Sequence, residues 1–353
     1  LSVGTDTLLG IDRVTGSAFG DTFTADELHS GSFGNFIDFQ GGAGDDQITG
    51  NGRTRLNLFD ASDGVFVDLN LGTAHGIAEG DLAGIGTDTL SGVNQVMGSR
   101  FDDTLIGSDG ENFESFRAQD GNDFIDGGGG GEDQVDYRNG REGVFVDLSA
   151  GYAFDGRGGF DTLVNIEVAR GSEHGDTLIG DDANNRLKGM GGDDTLFGGG
   201  GDDIAQFFGL RSEFVITHDE NGTLTVTDTV EGRDGSAELH DIETLRFEDG
   251  DVSASGSILN GDITSSVTED VSADVDGVLT ATGQLTVTSP NPDEAFFVAE
   301  TIEAPHGSLT IDAAGAWTYE VDNDLGAVQG LGAGQFLTDT VVVTSADGTE
   351  QSI

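Results

Sequence analysis

Residues 171–206 read GSEHGDTLI, GDDANNRLK, GMGGDDTLF and GGGGDDIAQ, four consecutive blocks of nine in a single phase. The sixth position is Asp176, Asn185, Asp194 and Asp203, and glycine or small polar residues fill the first half of each block. A glycine-rich half can turn tightly through positive φ, and the three residues after it alternate sides as a very short strand. Two blocks, eighteen residues, then make one coil with a strand on each face. This spacing stacks Asp176 beneath Asp194 along one edge and Asn185 beneath Asp203 along the other. Leu178, Leu187 and Leu196 point inward and build a narrow column of core.

Less regular copies precede these blocks, as Gly41-Gly42-Ala43-Gly44-Asp45-Asp46-Gln47-Ile48, Asp120-Gly121-Asn122-Asp123-Phe124-Ile125 and Gly128-Gly129-Gly130-Gly131-Glu132-Asp133-Gln134-Val135. A longer repeat frames them. Gly4-Thr5-Asp6-Thr7-Leu8, Gly86-Thr87-Asp88-Thr89-Leu90 and Gly159-Phe160-Asp161-Thr162-Leu163 each lead, 15 residues on from their aspartate, to Asp21, Asp103 and Asp176. Val65-Phe66-Val67-Asp68-Leu69 recurs as Val144-Phe145-Val146-Asp147-Leu148. Three large units of unequal length therefore fill residues 1–205, which marks a solenoid.

Composition sharpens the reading. Of the 353 residues, 66 are acidic and 14 basic, a formal charge of −52. Nucleic acid and anionic membranes are excluded as partners on that ground. Hydrophobic residues make up 35%, with 22 phenylalanines, which is enough for packed cores. There is no cysteine, hence no disulfide and no thiolate chemistry. No apolar run approaches the ~20 residues of a membrane span. The chain lacks an initiating methionine and a signal-like start and reads as a piece of a longer protein.

Carboxylates stacked one strand spacing apart, ~4.8 Å, repel unless a cation lies between them. Calcium is the hard cation that accepts six to eight oxygens, and glycine turns leave backbone carbonyls free to join the aspartates. These blocks resemble the RTX family, whose nonapeptide Gly-Gly-x-Gly-x-Asp-x-aliphatic-x forms a calcium-loaded parallel β-roll. The resemblance covers residues 1–205 and implies several Ca2+ ions. Its metal-site residues here are Asp21, Asp46, Asp103, Asp123, Asp133, Asp176, Asn185, Asp194 and Asp203. It also implies export by type I secretion.

Beyond residue 205 the glycines thin out. Residues 206–261 read as a β-rich cap, with Phe214-Val215-Ile216-Thr217 and Leu224-Thr225-Val226-Thr227 flanking an Asn221-Gly222 hairpin turn. In residues 262–353, short alternating runs predict strands at 263–268, 284–288, 296–299, 308–311, 317–321 and 336–344, a β-sandwich pattern of cadherin or Ig-like type. A further turn falls at Asp347-Gly348. The stretches Val267-Thr268-Glu269-Asp270, Gly283-Gln284-Leu285-Thr286-Val287-Thr288, Trp317-Thr318-Tyr319, Leu337-Thr338-Asp339 and Asp347-Gly348-Thr349 resemble a VCBS repeat, a module of large bacterial surface proteins. The chain stops before the last strand that family would supply, so the sandwich is expected to be incomplete.

The fold class is thus all-β, a parallel β-roll with a β-rich cap followed by a cadherin/Ig-like sandwich. No catalytic constellation appears. The histidines His29, His75, His174, His218, His240 and His306 are scattered, and no His-Glu-x-x-His, Gly-x-Ser-x-Gly or phosphate-loop motif is present. No aromatic platform or basic patch is legible either. The expectation is a calcium-folded, non-enzymatic region of a secreted cell-surface adhesin or biofilm-matrix protein. Its partners would be calcium, host or surface ligands, or neighbouring copies of itself, without membrane insertion. The alternatives are an accessory region of a secreted hydrolase or polysaccharide-modifying enzyme, and an S-layer or filament subunit.

Overall fold

The computed structural model describes residues 11–25, 36–218, 223–254, 258–261, 264–268, 277–289, 295–331, 335–346 and 349–353. The chain divides into two compact units, Leu1–Phe208 with Val230–Glu248, and Gly209–Thr229 with Asp249–Ile353. Among the described residues it is nearly all β, and no helix is long and apolar enough to cross a membrane. The first copy of the long repeat, Gly4 to Leu8, and His29 lie outside the described residues.

The first unit is built on two sheets whose strands alternate along the chain. Sheet A runs Arg13–Thr15, Ile37–Gln40, Thr54–Asn57, Gln95–Met97, Glu114–Arg117, Asp133–Asp136, Val168–Arg170, Arg186–Lys188, Ile204–Gln206, Thr244–Phe247, every neighbouring pair parallel. Across from it, sheet B holds Thr177–Ile179 beside Asp193–Phe197, with Leu178 opposite Leu196, while in sheet A Leu187 lies opposite Ala205. Both steps are eighteen residues, so two nonapeptides make one coil. Leu178, Leu187, Leu196 and Ala205 are fully buried between the sheets. Truncating Leu187 to Ala leaves a cavity in this column and should cost about 2–5 kcal/mol. Urea unfolding in saturating calcium would measure it.

Within the first unit, sheet B departs from an all-parallel roll in two places. After Val65–Asp68, which is parallel to Thr104–Ile106, the chain reverses through Thr73–Gly76 and Thr87–Ser91 as an antiparallel meander before rejoining Gln47–Thr49 in parallel. Phe145–Asp147, Tyr152–Phe154 and Phe160–Val164 repeat the arrangement. The cause is loop length: a parallel return needs a crossover of a dozen or more residues, and the turns at Gly72 (φ 69°) and Gly151 (φ 72°) are far shorter. These meanders make the large units longer than whole coils. Ser236–His240 and Thr244–Phe247, from the stretch expected to cap the solenoid, extend sheets B and A.

Register also separates two chemistries on the outward faces. The strands of sheet A carry Arg13, Arg55, Arg117, Arg170, Arg186, Lys188 and Arg246, whereas the sheet B strands carry no lysine or arginine. Sheet B instead displays rings. Phe66 stacks on His75 at 4.9 Å, Tyr152 on Phe160 at 5.3 Å, and Phe197 on His240 at 4.6 Å. The reading that the chain has neither a basic patch nor an aromatic platform is therefore corrected. Most of these residues come from strands far apart in the chain, and strand pairing brings them side by side.

In the second unit Phe214–His218 and Leu224–Asp228 form the expected hairpin, its Asn221-Gly222 turn lying outside the described residues. An antiparallel sheet follows in the order Ile258–Gly261, Val278–Thr288, Ala316–Asp322, Ser308–Ile311, Glu300–Glu303, and a two-stranded sheet pairs Val342–Thr344 with Glu350–Ser352. Leu285, Phe297, Leu309, Ile311, Trp317 and Val343 share one core. Three predicted strands are corrected. Residues 264–268 form no strand, 296–299 make only the isolated bridge Phe297 to Ser345, and 336–344 shrinks to Val342–Thr344. At the start of that stretch Phe336 is 82% exposed and Leu337 is exposed as well, so no inward-facing apolar residue anchors a strand there. Asp347-Gly348 lies outside the described residues.

Candidate metal sites

The sixth-position side chains form two columns, one ahead of each sheet. Each backbone N–H donates to the carboxylate of the coil stacked on it. Asp21 N–H reaches Asp46 Oδ1 at 2.8 Å and Asp46 N–H reaches Asp88 Oδ1 at 3.0 Å. Asp103 N–H reaches Asp123 Oδ1 at 2.7 Å, Asp123 N–H reaches Asp161 Oδ1 at 3.0 Å, and Asp176 N–H reaches Asp194 Oδ1 at 2.9 Å. In the sheet A column Glu114 and Asp133 N–H donate to Asp133 Oδ1 and Glu167 Oε2, and Asn185 and Asp203 N–H to Asp203 Oδ1 and Glu243 Oε2. Thus Asp176 stacks with Asp194 and Asn185 with Asp203, one coil apart.

The turns beneath these side chains are of three kinds. In the first, a residue at position two closes the turn on the sixth side chain. Ser17, Ser99 and Ser172 donate their N–H to Asp21, Asp103 and Asp176 Oδ2 at 2.6, 2.7 and 2.5 Å, and Asp181 N–H does so to Asn185 Oδ1 at 2.7 Å. In the second, positions two and four adopt positive φ: Gly42 and Gly44 (91°, 102°) before Asp46, Gln119 and Gly121 (90°, 136°) before Asp123, Met190 and Gly192 (77°, 115°) before Asp194, and Gly199 and Gly201 (100°, 113°) before Asp203. Gly128 and Gly130 (92°, 94°) precede Asp133 in a turn one residue longer. The third kind is short, a left-handed residue, a buried aliphatic and an acid: Asn165 (φ 52°), Ile166, Glu167, and Asp241 (φ 50°), Ile242, Glu243.

Three turns of the second kind leave a carboxylate oxygen unpartnered. Asp46, Asp123 and Asp203 are at most 2% exposed, and the Oδ2 atom of each is buried with no hydrogen-bond donor. The first glycine of a block makes room for this side chain: a Cβ on Gly189 would stand 2.0 Å from Asp194 Oδ2, and one on Gly41 2.1 Å from Asp46 Oδ2. Burial pushes Asp133 up to about 7, Asp194 to about 8 and Asp203 to about 6, and it raises Asp46 and Asp176 as well. Asp103 and Asp88 rise to about 7 for the same reason. Burial raises Asp123 and Asp161, and on Asp123 the Asp161 charge adds to it.

A buried carboxylate with a bare oxygen is costly unless a proton or a cation completes it. The donors in reach are carboxylate oxygens and turn carbonyls, the hard oxygen set that calcium takes. Among the described residues no three acidic or histidine side chains converge on one point. A cation here must therefore draw further ligands from the turn backbone. The residues present fit calcium on those terms, with Asp46, Asp123, Asp133, Asp194 and Asp203 best placed to hold it and to be neutralised by it.

Asp88, Asp161, Glu114, Glu167 and Glu243 occupy the same columns and were missed by the nonapeptide phase. Asp88 and Asp161 were visible in the Gly-x-Asp-Thr-Leu repeat. Glu167 and Glu243 share the signature Asn/Asp-Ile-Glu ahead of a strand.

RTX calcium-binding nonapeptide repeats match the chain in four copies, at residues 38–52, 83–113, 114–140 and 170–205. The gaps at 53–82 and 141–169 contain Val65–Gly76 and Phe145–Val164, which make up most of the two antiparallel meanders. No curated protein matches the chain. The repeats imply Ca2+ binding, and repeats of this kind suggest a secreted bacterial protein.

Proposed function

We propose that this chain is a calcium-folded structural region of a secreted bacterial cell-surface or matrix protein, an adhesin in its most specific form, exported by type I secretion. The observation that carries the reading is the set of buried Oδ2 atoms on Asp46, Asp123 and Asp203 that lack any donor. Where calcium is scarce, the acidic columns repel and the coil stays open, which suits passage through a narrow channel. Outside the cell, calcium near millimolar exceeds the dissociation constants of extracellular sites, about 0.1–1 mM, and its binding adds to folding stability. The second unit, with its VCBS-like motifs and shared core, is proposed to be a sandwich module. No catalytic role is proposed.

Isosteric neutralisation tests the site. Asp46→Asn, Asp123→Asn and Asp203→Asn keep the Oδ1 acceptor of the ladder and remove the charge of the bare oxygen. Each is expected to lower the number of calcium ions bound, read by isothermal titration. In chelator the same variants should be more stable than the parent, because a buried negative charge is gone. Unchanged calcium stoichiometry in all three would defeat the assignment.

A further inference from the structure

The outward face of sheet A is cationic in a chain of charge −52, and its central part holds more positive than negative groups. Arg117 lies against Asp136 on the adjacent strand, with Asp136 opposite Arg170 and Arg170 opposite Lys188, so the four form one row along the stacking direction. Asp136 is the one carboxylate in that row, and it is shared: Arg117 and Arg138 each approach its Oδ2 at 2.6 Å. Among the described residues Arg170 has no carboxylate within ion-pair distance. Its Nε contacts Met190 Sδ at 3.1 Å, and its guanidinium lies 5.4 Å from the Phe208 ring centre. Lys188 Nζ donates only to Gln134 Oε1 at 3.1 Å. Arg186 pairs with Glu132, which is itself half exposed.

Two details show that these cations are not fully used by the fold. The Nε atoms of Arg117 and Arg186 are buried without a hydrogen-bond partner. Burial, with repulsion from neighbouring cations added to it, also pulls Arg117, Arg170 and Lys188 downward, Lys188 to about 7. A structural ladder would alternate signs and relax this; here like charges adjoin.

We propose that the outward face of sheet A binds a linear acidic polysaccharide, whose carboxylates are received by Arg170, Lys188 and the outer edges of Arg117, Arg138 and Arg186. Guanidinium forks match carboxylates in a bidentate geometry. Arg170 and Lys188 stand one strand repeat apart, ~4.8 Å, a spacing of the same order as one carboxylate per sugar, so a polymer laid along the stack meets them in succession. Nucleic acid is disfavoured, since a duplex carries one charge per about 1.7 Å and the rest of this chain repels it. Screening beyond about 8 Å at physiological salt leaves the local patch in control of a sparser polymer.

The test uses the calcium-loaded full chain and a galacturonate hexamer, titrated by calorimetry at low and physiological salt. Binding that weakens with salt is expected, and the double variant Arg170→Gln/Lys188→Gln should reduce affinity at least tenfold. Both direct ion pairs of Asp136, with Arg117 and Arg138, are left in place, and thermal melting in calcium checks that the variant is folded. Arg141→Gln, outside sheet A, should bind as the parent does. The methyl-esterified hexamer, which keeps the sugar and loses the charge, should not bind. The proposal is overturned if the parent shows no binding, if the folded double variant binds equally well, or if the ester competes. It is also overturned if sedimentation shows the parent self-associating without sugar and the double variant monomeric, which would make the face an interface between copies.

Discussion

Excess chelator at pH 7.5 should abolish most of the β-sheet circular dichroism of this chain while leaving the fluorescence of Trp317 in place. Trp317 is the one tryptophan, and it lies 2% exposed in the core of the second unit with Leu285, Phe297 and Val343. That core contains no acidic column. The first unit, by contrast, stacks buried acids in both columns, among them Asp46, Asp88, Asp123, Asp161, Asp194 and Asp203. At tenfold excess over its dissociation constant each bound ion contributes about 1.4 kcal/mol. Several such ions together rival the whole stability of a domain, about 5–15 kcal/mol. Magnesium should not restore the signal, because it demands near-ideal octahedral geometry and gives up its waters reluctantly. A metal-free chain with full dichroism would refute calcium-dependent folding, and simultaneous loss of the Trp317 signal would refute the independence of the second core.

In chelator, acidification from pH 7.5 to about 5 should bring the sheet signal back. The acids concerned have folded pKa values raised above the ordinary carboxylate value: Asp88, Asp103 and Asp133 to about 7, Asp194 to about 8, Asp203 to about 6. Raised groups stabilise the fold in their protonated form. That contribution is complete below the unfolded value near 4 and disappears as pH rises through about 6–8. Falling net charge acts in the same direction. Asp136 has the opposite sign. The Arg117 and Arg138 guanidinium groups hold it well below the ordinary carboxylate range, so its contribution is lost only at strongly acidic pH. Metal-free stability should therefore peak near pH 4–6, and the calcium requirement should steepen toward neutrality. Stability in chelator that rises from pH 5 to 8 would contradict this.

Much of the fold could be read directly because its rule is local. A nonapeptide carries its own turn and strand, so Gly189 to Phe197 specifies where Asp194 and Leu196 go without knowledge of any other coil. The hairpin at Phe214–His218 and Leu224–Asp228 was legible for the same reason. The candidate site was legible wherever the block was regular. It was not legible at Glu114, Glu167 and Glu243, where a longer side chain reaches the same column from a turn of different length. Nor does the sequence distinguish Asp176 from Asp194. Ser172 satisfies the first with its own N–H and hydroxyl, while the second lies over Gly189 in a turn with two left-handed residues.

By itself the sequence determined the coil length, the inward column of aliphatics and the acidic edges, because each follows from periodicity within one or two turns. Tertiary structure alone decided the rest. It placed antiparallel strands inside sheet B, since Val65–Asp68 and Phe145–Asp147 look like any other strand until their partners are known. It also gathered arginines from distant repeats onto one face and rings onto the other. Register sets these neighbours, and register is a property of strands that meet only after the coil has closed.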